Sequence, residues 1–188
     1  MYERRTLESA LQALSDLLAD RGEHHVAVAI GGGALSFLGL IERSTEDIDL
    51  VGFVNNGTLI TAEPMPGTLL DAITAIGALH GLNPKWMNGE PTSLLRHGLP
   101  DGFLARCVRR DFGGVTLLLA SRFDQIHLKL FAFERPGDKH ELDLRRLAPT
   151  RDELLSAATW VRTHAVGEEA EWELRAKLRR FGVELDDV

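Results

Sequence analysis

The sequence is poor in cysteine, in aromatic residues and in long apolar runs. Its 188 residues include one cysteine, Cys107, so no disulfide can form within the chain and a reducing compartment is expected. No apolar run approaches the ~18 residues that a membrane span needs. The N-terminal segment MYERRTLESALQ is charged and amphipathic, unlike a signal peptide. We therefore expect a cytoplasmic protein with no membrane partner.

The sequence also has no excess of basic over acidic residues. The formal net charge is −7 and the pI is about 5.5, which argues against a dedicated nucleic-acid-binding protein, because such proteins usually carry a basic domain. A local basic groove remains compatible with this total. With 44% hydrophobic and 26% charged residues, the composition is that of an ordinary globular protein. The length fits one domain, with or without a small extension.

The pattern of apolar residues predicts an α+β fold. Strands and helices alternate first, two strands then follow one another, and helices fill the rest of the chain. We predict a small mixed β-sheet flanked by helices over residues 1–148, with a C-terminal helical extension over 149–188 packed on it. Strands are expected at 26–30, 48–53, 103–108 and 115–120; helices at 4–21, 34–41, 68–81, 122–135, 140–147, 151–164 and 168–181; a loop at 55–67; and irregular structure at 84–102.

The segment 43-RSTEDIDL-50 places two acidic residues on an otherwise apolar strand. Side chains alternate between faces along a strand, so Asp47 and Asp49 point to one side while Ile48 and Leu50 point into the core. Two carboxylates this close repel each other unless one holds a proton or a cation neutralises the pair. The usual cation is a divalent metal such as Mg²⁺, which completes its shell with water and substrate phosphate. The alternative is that one aspartate caps or forms a salt bridge and the other is solvated.

Three glycines upstream favour the metal site over that alternative. Gly31, Gly32 and Gly33 follow the strand predicted at 26–30 and precede a helix. Glycine allows backbone N–H groups to approach a phosphate, and the start of a helix attracts anions. A glycine turn followed by paired carboxylates supplies both halves of a site for a metal and a nucleoside triphosphate. A P-loop is excluded, because the sequence has no G-x-x-x-x-G-K-[ST] motif.

Through its glycines and its paired aspartates, the segment 31-GGGALSFLGLIERSTEDIDL-50 resembles the signature of the nucleotidyltransferase fold, also called the polymerase-beta-like superfamily. It is most similar to the AbiEii/MenT-like branch, whose motif runs G-G-x-x-L, a spacer, and then R-x-[ST]-x-D-[IL]-D. A second block is similar too, because 129-KLFAFER-135 and 143-DLRRL-147 match K-x-x-A-x-x-R followed by D-L-x-x-L. The stretches 86-WMN-88 and 99-LPDGF-103 also resemble a compact subgroup of these proteins.

The resemblance implies a role for each matched residue. Asp47 and Asp49 would bind Mg²⁺ or Mn²⁺, and Asp143 would be the third catalytic acid, although His140 stands where relatives often have an acid. Lys129 borders the apolar stripe of its helix, where a lysine needs a partner such as the triphosphate, unless its head reaches water. The nucleotide would be held by Gly31, Gly32, Arg43, Thr45 and Arg135.

The resemblance also implies a reaction, the transfer of a nucleoside monophosphate from a nucleoside triphosphate to an acceptor hydroxyl. In AbiEii/MenT-like relatives the acceptor is tRNA and the enzyme is the toxin of a toxin–antitoxin pair. The expected partners are therefore the nucleoside triphosphate, tRNA or another RNA, and an antitoxin protein. Two alternatives stay open: transfer of the nucleotide to a protein or small molecule, and a catalytically degenerate fold that acts as a binding or antitoxin module.

Overall fold

The computed structural model describes residues 1–185, which divide into two compact units, Met1–Ser121 and a second unit that begins at Arg122. The boundary expected after residue 148 falls inside the second unit, because the helix that begins at Arg122 packs against the two helices that follow it. The α+β class is confirmed, since a mixed sheet and flanking helices are present. Among the described residues, no helix has both the length and the apolar character needed to cross a membrane.

The first unit contains all the strands found in residues 1–185. Its helices are α1 (Arg4–Asp20), α2 (Gly31–Phe37), α3 (Gly67–Leu79) and α4 (Phe103–Arg106), with a 3₁₀ helix at Glu90–Arg96. Its strands are β1 (His25–Ile30), β2 (Ile48–Asn55), β3 (Thr58–Thr61), β4 (Met87–Asn88), β5 (Val108–Asp111) and β6 (Val115–Leu119). The second unit consists of α5 (Arg122–Ala132), α6 (Lys139–Arg146), α7 (Arg151–His164) and α8 (Glu168–Arg179).

The sheet brings the beginnings of α2 and β2 together. Its strand order is β3-β2-β1-β6-β5, with β4 beside β2, and β1 runs parallel to β6 and antiparallel to β2. A register shift between Val28 and Ala29 leaves Ile30 opposite Asp49. Because Ile30 is the last residue before α2, the first turn of α2 lies next to the acidic end of β2.

The core of the first unit forms between the sheet and its helices. Leu7, Leu11, Leu14 and Leu18 recur at helical spacing on α1 and are at most 1% exposed. They belong to one apolar cluster with buried residues of β1, β2, β6 and α3. Each such leucine contributes about 1.5–3 kcal/mol of transfer free energy, so this cluster keeps the sheet and α2 in place beneath the polar site.

The predicted strand 103–108 is wrong. Residues 103–106 form α4, one helical turn that follows Gly102 at a φ of 72°. The strand runs over Val108–Asp111 instead, and all four of its residues are exposed at the end of the sheet. Because β5 has no buried face, its sequence shows no alternation of apolar and polar residues that would have marked it.

Three other predicted segments also differ from the structure. The loop expected at 55–67 contains β3, which pairs with β2 through a turn at Asn56 and Gly57, both with positive φ. The irregular segment 84–102 contains β4 and the 3₁₀ helix. The helix expected at 34–41 begins three residues earlier, at Gly31, and ends at Phe37, because Gly39 adopts a φ of 70° and leaves the helical path.

Candidate functional site

The glycine turn lies directly against the D-x-D segment of the first unit. A Cβ atom on Gly31 would come within 2.7 Å of Asp49 Oδ2, and one on Gly33 would come within 2.7 Å of the Asp47 carbonyl oxygen. Real Cβ atoms do not approach other heavy atoms below 3.0 Å, so any larger residue would force a shift. The glycines therefore let α2 begin in direct contact with the residues that surround both aspartates.

Gly32 faces the other half of the motif. Its Cβ atom would lie 2.9 Å from Thr45 Oγ1 and 3.0 Å from Arg43 Nη2. Thr45 is 5% exposed, and its backbone exchanges two hydrogen bonds with Tyr2, at 2.6 Å and 3.1 Å. This bridge fixes Thr45 between the N-terminal residues and α2. The structure thus brings Gly31, Gly32, Arg43, Thr45 and the two aspartates together.

Asp47 and Asp49 are both half-buried. Asp47 immediately precedes β2, and Asp49 is its second residue, so both point to the same side of the strand. Two neighbouring carboxylates that are partly withdrawn from water disfavour their common ionised state. A cation bound between or beside them would remove that cost, which makes this position suited to a divalent metal.

Asn88 is a further residue of the site, which the sequence-based assignment did not include. β4 pairs with β2 in parallel, so Asn88 lies opposite Asp49. Its Nδ2 donates a hydrogen bond to Asp49 Oδ1 at 3.3 Å, while its Oδ1 accepts one from the Glu90 backbone N–H at 3.0 Å. These two bonds set the orientation of the amide. The stretch 86-WMN-88 resembles a subgroup of nucleotidyltransferases, but a strand of two residues has no periodicity from which its place in the sheet could be inferred.

The remaining predicted site residues lie in the second unit. Lys129 Nζ donates a hydrogen bond to Asp143 Oδ2 at 2.9 Å, and their side chains are 5% and 0% exposed. Asp143 also lies 3.5 Å from Arg146 Nη1. The alternative in which the head of Lys129 reaches water is therefore wrong. Arg135 is exposed, beyond the end of α5.

His140 is a half-buried neighbour of this pair on α6. Its Nδ1 atom is buried and has no hydrogen-bond partner within residues 1–185. Burial is the main cause that lowers the pKa of His140, and the positive charges of Lys129 and Lys139 lower it further, against the opposite influence of Asp138 and Asp143. The imidazole is therefore neutral at pH 7.

Within residues 1–185, the potential metal-binding sites consist of fewer than three His, Cys, Asp or Glu side chains. In the described part of the chain, no three His, Cys, Asp or Glu side chains are grouped so that they could hold a metal ion, so a closed structural zinc centre is not found there. Mg²⁺ needs less from a protein, because it takes one or two carboxylates and completes its shell with water and phosphate. The oxygen ligands of Asp47 and Asp49, beside the main chain of a glycine turn, fit an ion of that kind.

A cavity of about 510 Å³ adjoins the motif in the first unit. Arg43 belongs both to its wall and to the contact with Gly32. The wall contains three arginines and two glutamates, in a protein whose net charge is −7. Its lining residues are Glu3, Arg4, Arg5, Ser36, Gly39, Ile41, Glu42, Arg43 and Ser44. The wall of this cavity therefore carries one more positive than negative side chain.

No protein-family model, curated protein or solved structure matches this chain. The resemblance to nucleotidyltransferases consequently depends on the short motifs of the sequence itself. The residues of the motif over 31–49 contact each other within the first unit, and Lys129 and Asp143 of the second block contact each other within the second unit. The first of these contacts joins a glycine turn to the segment that carries two carboxylates. The function is therefore inferred from that contact.

Proposed function

We propose that this chain is a nucleotidyltransferase, which transfers a nucleoside monophosphate from a nucleoside triphosphate to an acceptor hydroxyl and releases pyrophosphate. The contact between the glycine turn and the D-x-D segment supports this most. A tight turn alone would account for Gly31, whose φ is 71°, but Gly32 and Gly33 do not have positive φ values. Because Gly32 and Gly33 have no side chain, the main chain of α2 can approach residues 43–49 closely. A phosphate site beside two carboxylates requires such an approach.

Each candidate site residue of the first unit has a role in this proposal. Asp47 and Asp49 would hold Mg²⁺ or Mn²⁺, which supplies charge neutralisation and a lower pKa of the acceptor hydroxyl. The main chain of Gly31 and Gly32 would contact the triphosphate. Asn88 keeps the Asp49 carboxylate in one orientation. The acceptor hydroxyl loses its proton to water, and its oxygen forms a bond to the α-phosphorus while the bond to the pyrophosphate oxygen breaks. The protein therefore contributes mainly position and charge.

Arg43 and Thr45 would add to phosphate binding, since both lie against Gly32. A guanidinium group can donate two parallel hydrogen bonds to a phosphate, and a hydroxyl can donate one. The roles of Lys129, Asp143 and Arg135, which lie in the second unit, stay predictions from the sequence. The proposal for the first unit does not depend on them.

RNA, with tRNA as the first case to test, is the acceptor that we propose. The cavity beside Arg43 supports this choice, because its wall carries three arginines against two glutamates and could contact a phosphate backbone. Arg4 contributes less than the others, since its Nε already donates to Glu8 Oε1 at 2.8 Å. A toxin role with an antitoxin partner is part of the proposal on the strength of the resemblance alone.

The test is a labelling reaction with purified protein, Mg²⁺, total tRNA and each α-³²P-labelled nucleoside triphosphate in turn. We expect label on tRNA with the wild-type protein and its loss in Asp47→Asn and Asp49→Asn, by at least ~100-fold, because each variant removes a charge that acts in the transition state. Asp71→Asn is the matched control, since Asp71 is exposed on α3 of the same unit. This control is expected to label tRNA like the wild type.

A second measurement needs no turnover. A nucleoside triphosphate with Mg²⁺ should raise the melting temperature of the wild-type protein and of Asp71→Asn, but not of Asp49→Asn, because a ligand stabilises the state that binds it. Label on protein or on a small molecule would replace RNA as the acceptor and keep the chemistry. The absence of both label and thermal stabilisation would overturn the proposal and favour the degenerate binding module.

A further inference from the structure

An exposed apolar surface lies at the beginning of α8. Trp172 is 67% exposed, and Val166, in the turn before the helix, is 88% exposed. The other two tryptophans contrast with it, because Trp86 is fully buried and Trp160 is half-buried. Trp172 also lines a shallow hollow together with Gly167, Glu168, Glu171 and Arg175. A tryptophan this exposed is a candidate contact for a second molecule.

Acidic side chains beside Trp172 give this surface a charge. Glu168 and Glu169 precede Trp172 by one helical turn and share its face of α8. Glu171 is compensated, because it binds Arg162 at 2.7 Å and Arg175 at 2.9 Å. Glu168 and Glu169, by contrast, form no ion pair with any residue in the described chain. The α8 surface, defined by Val166, Glu168, Glu169 and Trp172, is thus apolar at its centre and negative beside it.

The same sequence carries the complementary surface on β5. This strand is the last in the sheet order, and within residues 1–185 no strand pairs with its outer edge. Val108 is 43% exposed and lies on the same face as Arg110, two residues along the strand. Arg109 binds Asp111 at 2.9 Å, whereas Arg110 forms no ion pair in the described residues. Val108 and Arg110 therefore present an apolar and a positive group side by side.

We propose that this protein associates with itself, with β5 of one copy docked on the α8 surface of a second copy. Val108 would cover Trp172, and Arg110 would pair with Glu168 or Glu169 and lie close to the indole ring. An exposed edge strand with an apolar residue is a common point of association between chains. Both surfaces are small compared with the ~800 Å² per partner of a stable complex, so we expect weak and reversible association.

The first test is sedimentation velocity of the full chain from low micromolar to millimolar concentration. The average mass of the wild-type protein should rise with concentration and fall with added salt, because salt screens exposed charge pairs. Trp172→Ala and Arg110→Glu should each remain monomeric. Matched controls are Leu79→Ala, which truncates a residue that is 77% exposed on α3, and Arg151→Glu, which makes the same charge change at the exposed start of α7. Both controls should associate like the wild type.

A charge exchange gives the sharper test. One variant carries Glu168→Arg and Glu169→Arg, and the other carries Arg109→Glu and Arg110→Glu. Each alone has surfaces of one sign and should be monomeric, whereas an equal mixture should associate again, because the β5 surface of one then complements the α8 surface of the other. This recovery also shows that neither variant has misfolded.

Three results would overturn the proposal. The first is a wild-type protein that stays monomeric over the whole concentration range. The second is self-association that persists unchanged in Trp172→Ala and Arg110→Glu. The third is a mixture of the exchanged variants that does not associate. The measurement is independent of any nucleotide, so its outcome is separate from that of the labelling reaction.

Discussion

The two units of this protein keep acidic side chains away from water in different ways. In the second unit, Asp143 is 0% exposed and the Glu141 side chain is 1% exposed. Each has two basic groups within ion-pair distance, Lys129 and Arg146 for Asp143, and Arg145 and Arg180 for Glu141. A buried carboxylate costs several kcal/mol unless it is paired in this manner. The acids of the second unit are thus matched by charges of opposite sign.

The first unit instead has two acidic side chains, two positions apart, that point to the same side of the chain. Asp47 and Asp49 are half-buried, and Asp49 accepts a hydrogen bond from a neutral group, the Asn88 amide. The main chain of a glycine turn lies against the Asp49 carboxylate. Two like charges this close raise the free energy of the folded state unless other groups neutralise them. The contrast is between buried acids that lie in ion pairs and half-buried acids that, under the proposed function, would bind a metal ion.

The largest effect is expected from the Lys129–Asp143 pair. Asp143→Leu should lower the free energy of unfolding by about 3–5 kcal/mol, because it leaves the ammonium group of Lys129 buried without its carboxylate. The double variant Lys129→Met/Asp143→Leu should recover most of that loss, since two apolar residues of similar size replace both charges. Urea denaturation with linear extrapolation measures both. A single variant that loses less than about 1 kcal/mol would contradict the contrast between the units.

The same double variant tests the catalytic role that the resemblance assigns to Lys129 and Asp143. If that role is real, the double variant should fold and yet fail to label the acceptor. A folded variant with full labelling activity would make the pair a structural element only. Either result sharpens the comparison, because it shows whether the acids of both units serve one reaction.

Local features of the sequence indicated which residues of the first unit lie close together. The spacing of Asp47 and Asp49 and the run of glycines are short-range signals, because a strand has a period of two and glycine removes a side chain wherever it stands. Gly32 lies close to Thr45 and Arg43 because β1, which leads into α2, pairs with β2, which follows residues 43–45. The α+β class followed in the same way from the order of the apolar segments.

Contacts between distant segments could not be predicted from the sequence. Asn88 reaches Asp49 through a strand of two residues, which is too short to show a pattern. The partner of Lys129 depends on how α5 and α6 pack across the turn between them. The position of Lys129 at the border of an apolar stripe indicates only that this lysine needs a partner. The shift of β5 to Val108–Asp111 was hidden for a related reason, since an exposed edge strand has no buried face.

An intermediate effect is expected at the glycine turn. Gly31 and Gly22 both have a φ of 71°, but a Cβ atom would strike Asp49 at Gly31 and meet nothing within 4 Å at Gly22. Gly22→Ala should therefore cost about 1–2 kcal/mol, the strain of a left-handed backbone alone. Gly31→Ala should cost about 1 kcal/mol more, because the carboxylate must also move. The difference between the two free energies of unfolding isolates the contact. Equal losses would show that Asp49 yields freely and that the turn is not fitted to it.

The smallest effect is expected at His140, beside the paired charges of the second unit. Its pKa is lowered in the folded state, chiefly by burial, so the unfolded chain binds the proton more strongly. Stability should therefore be complete above the ordinary pKa of about 6.5 and should decrease as the pH falls below it. His140→Gln should flatten this decrease by a fraction of a kcal/mol, since the ring is only half-buried and water screens its charge. The carboxylates nearby, Asp138 and Glu141, have lowered pKa values and stay ionised in this range. Denaturation curves of both proteins between about pH 5.5 and about pH 7.5 measure the effect. If the two proteins lose stability in parallel as the pH falls, folding does not change the pKa of His140. The paired charges of Lys129 and Asp143 would then have no net effect on this residue.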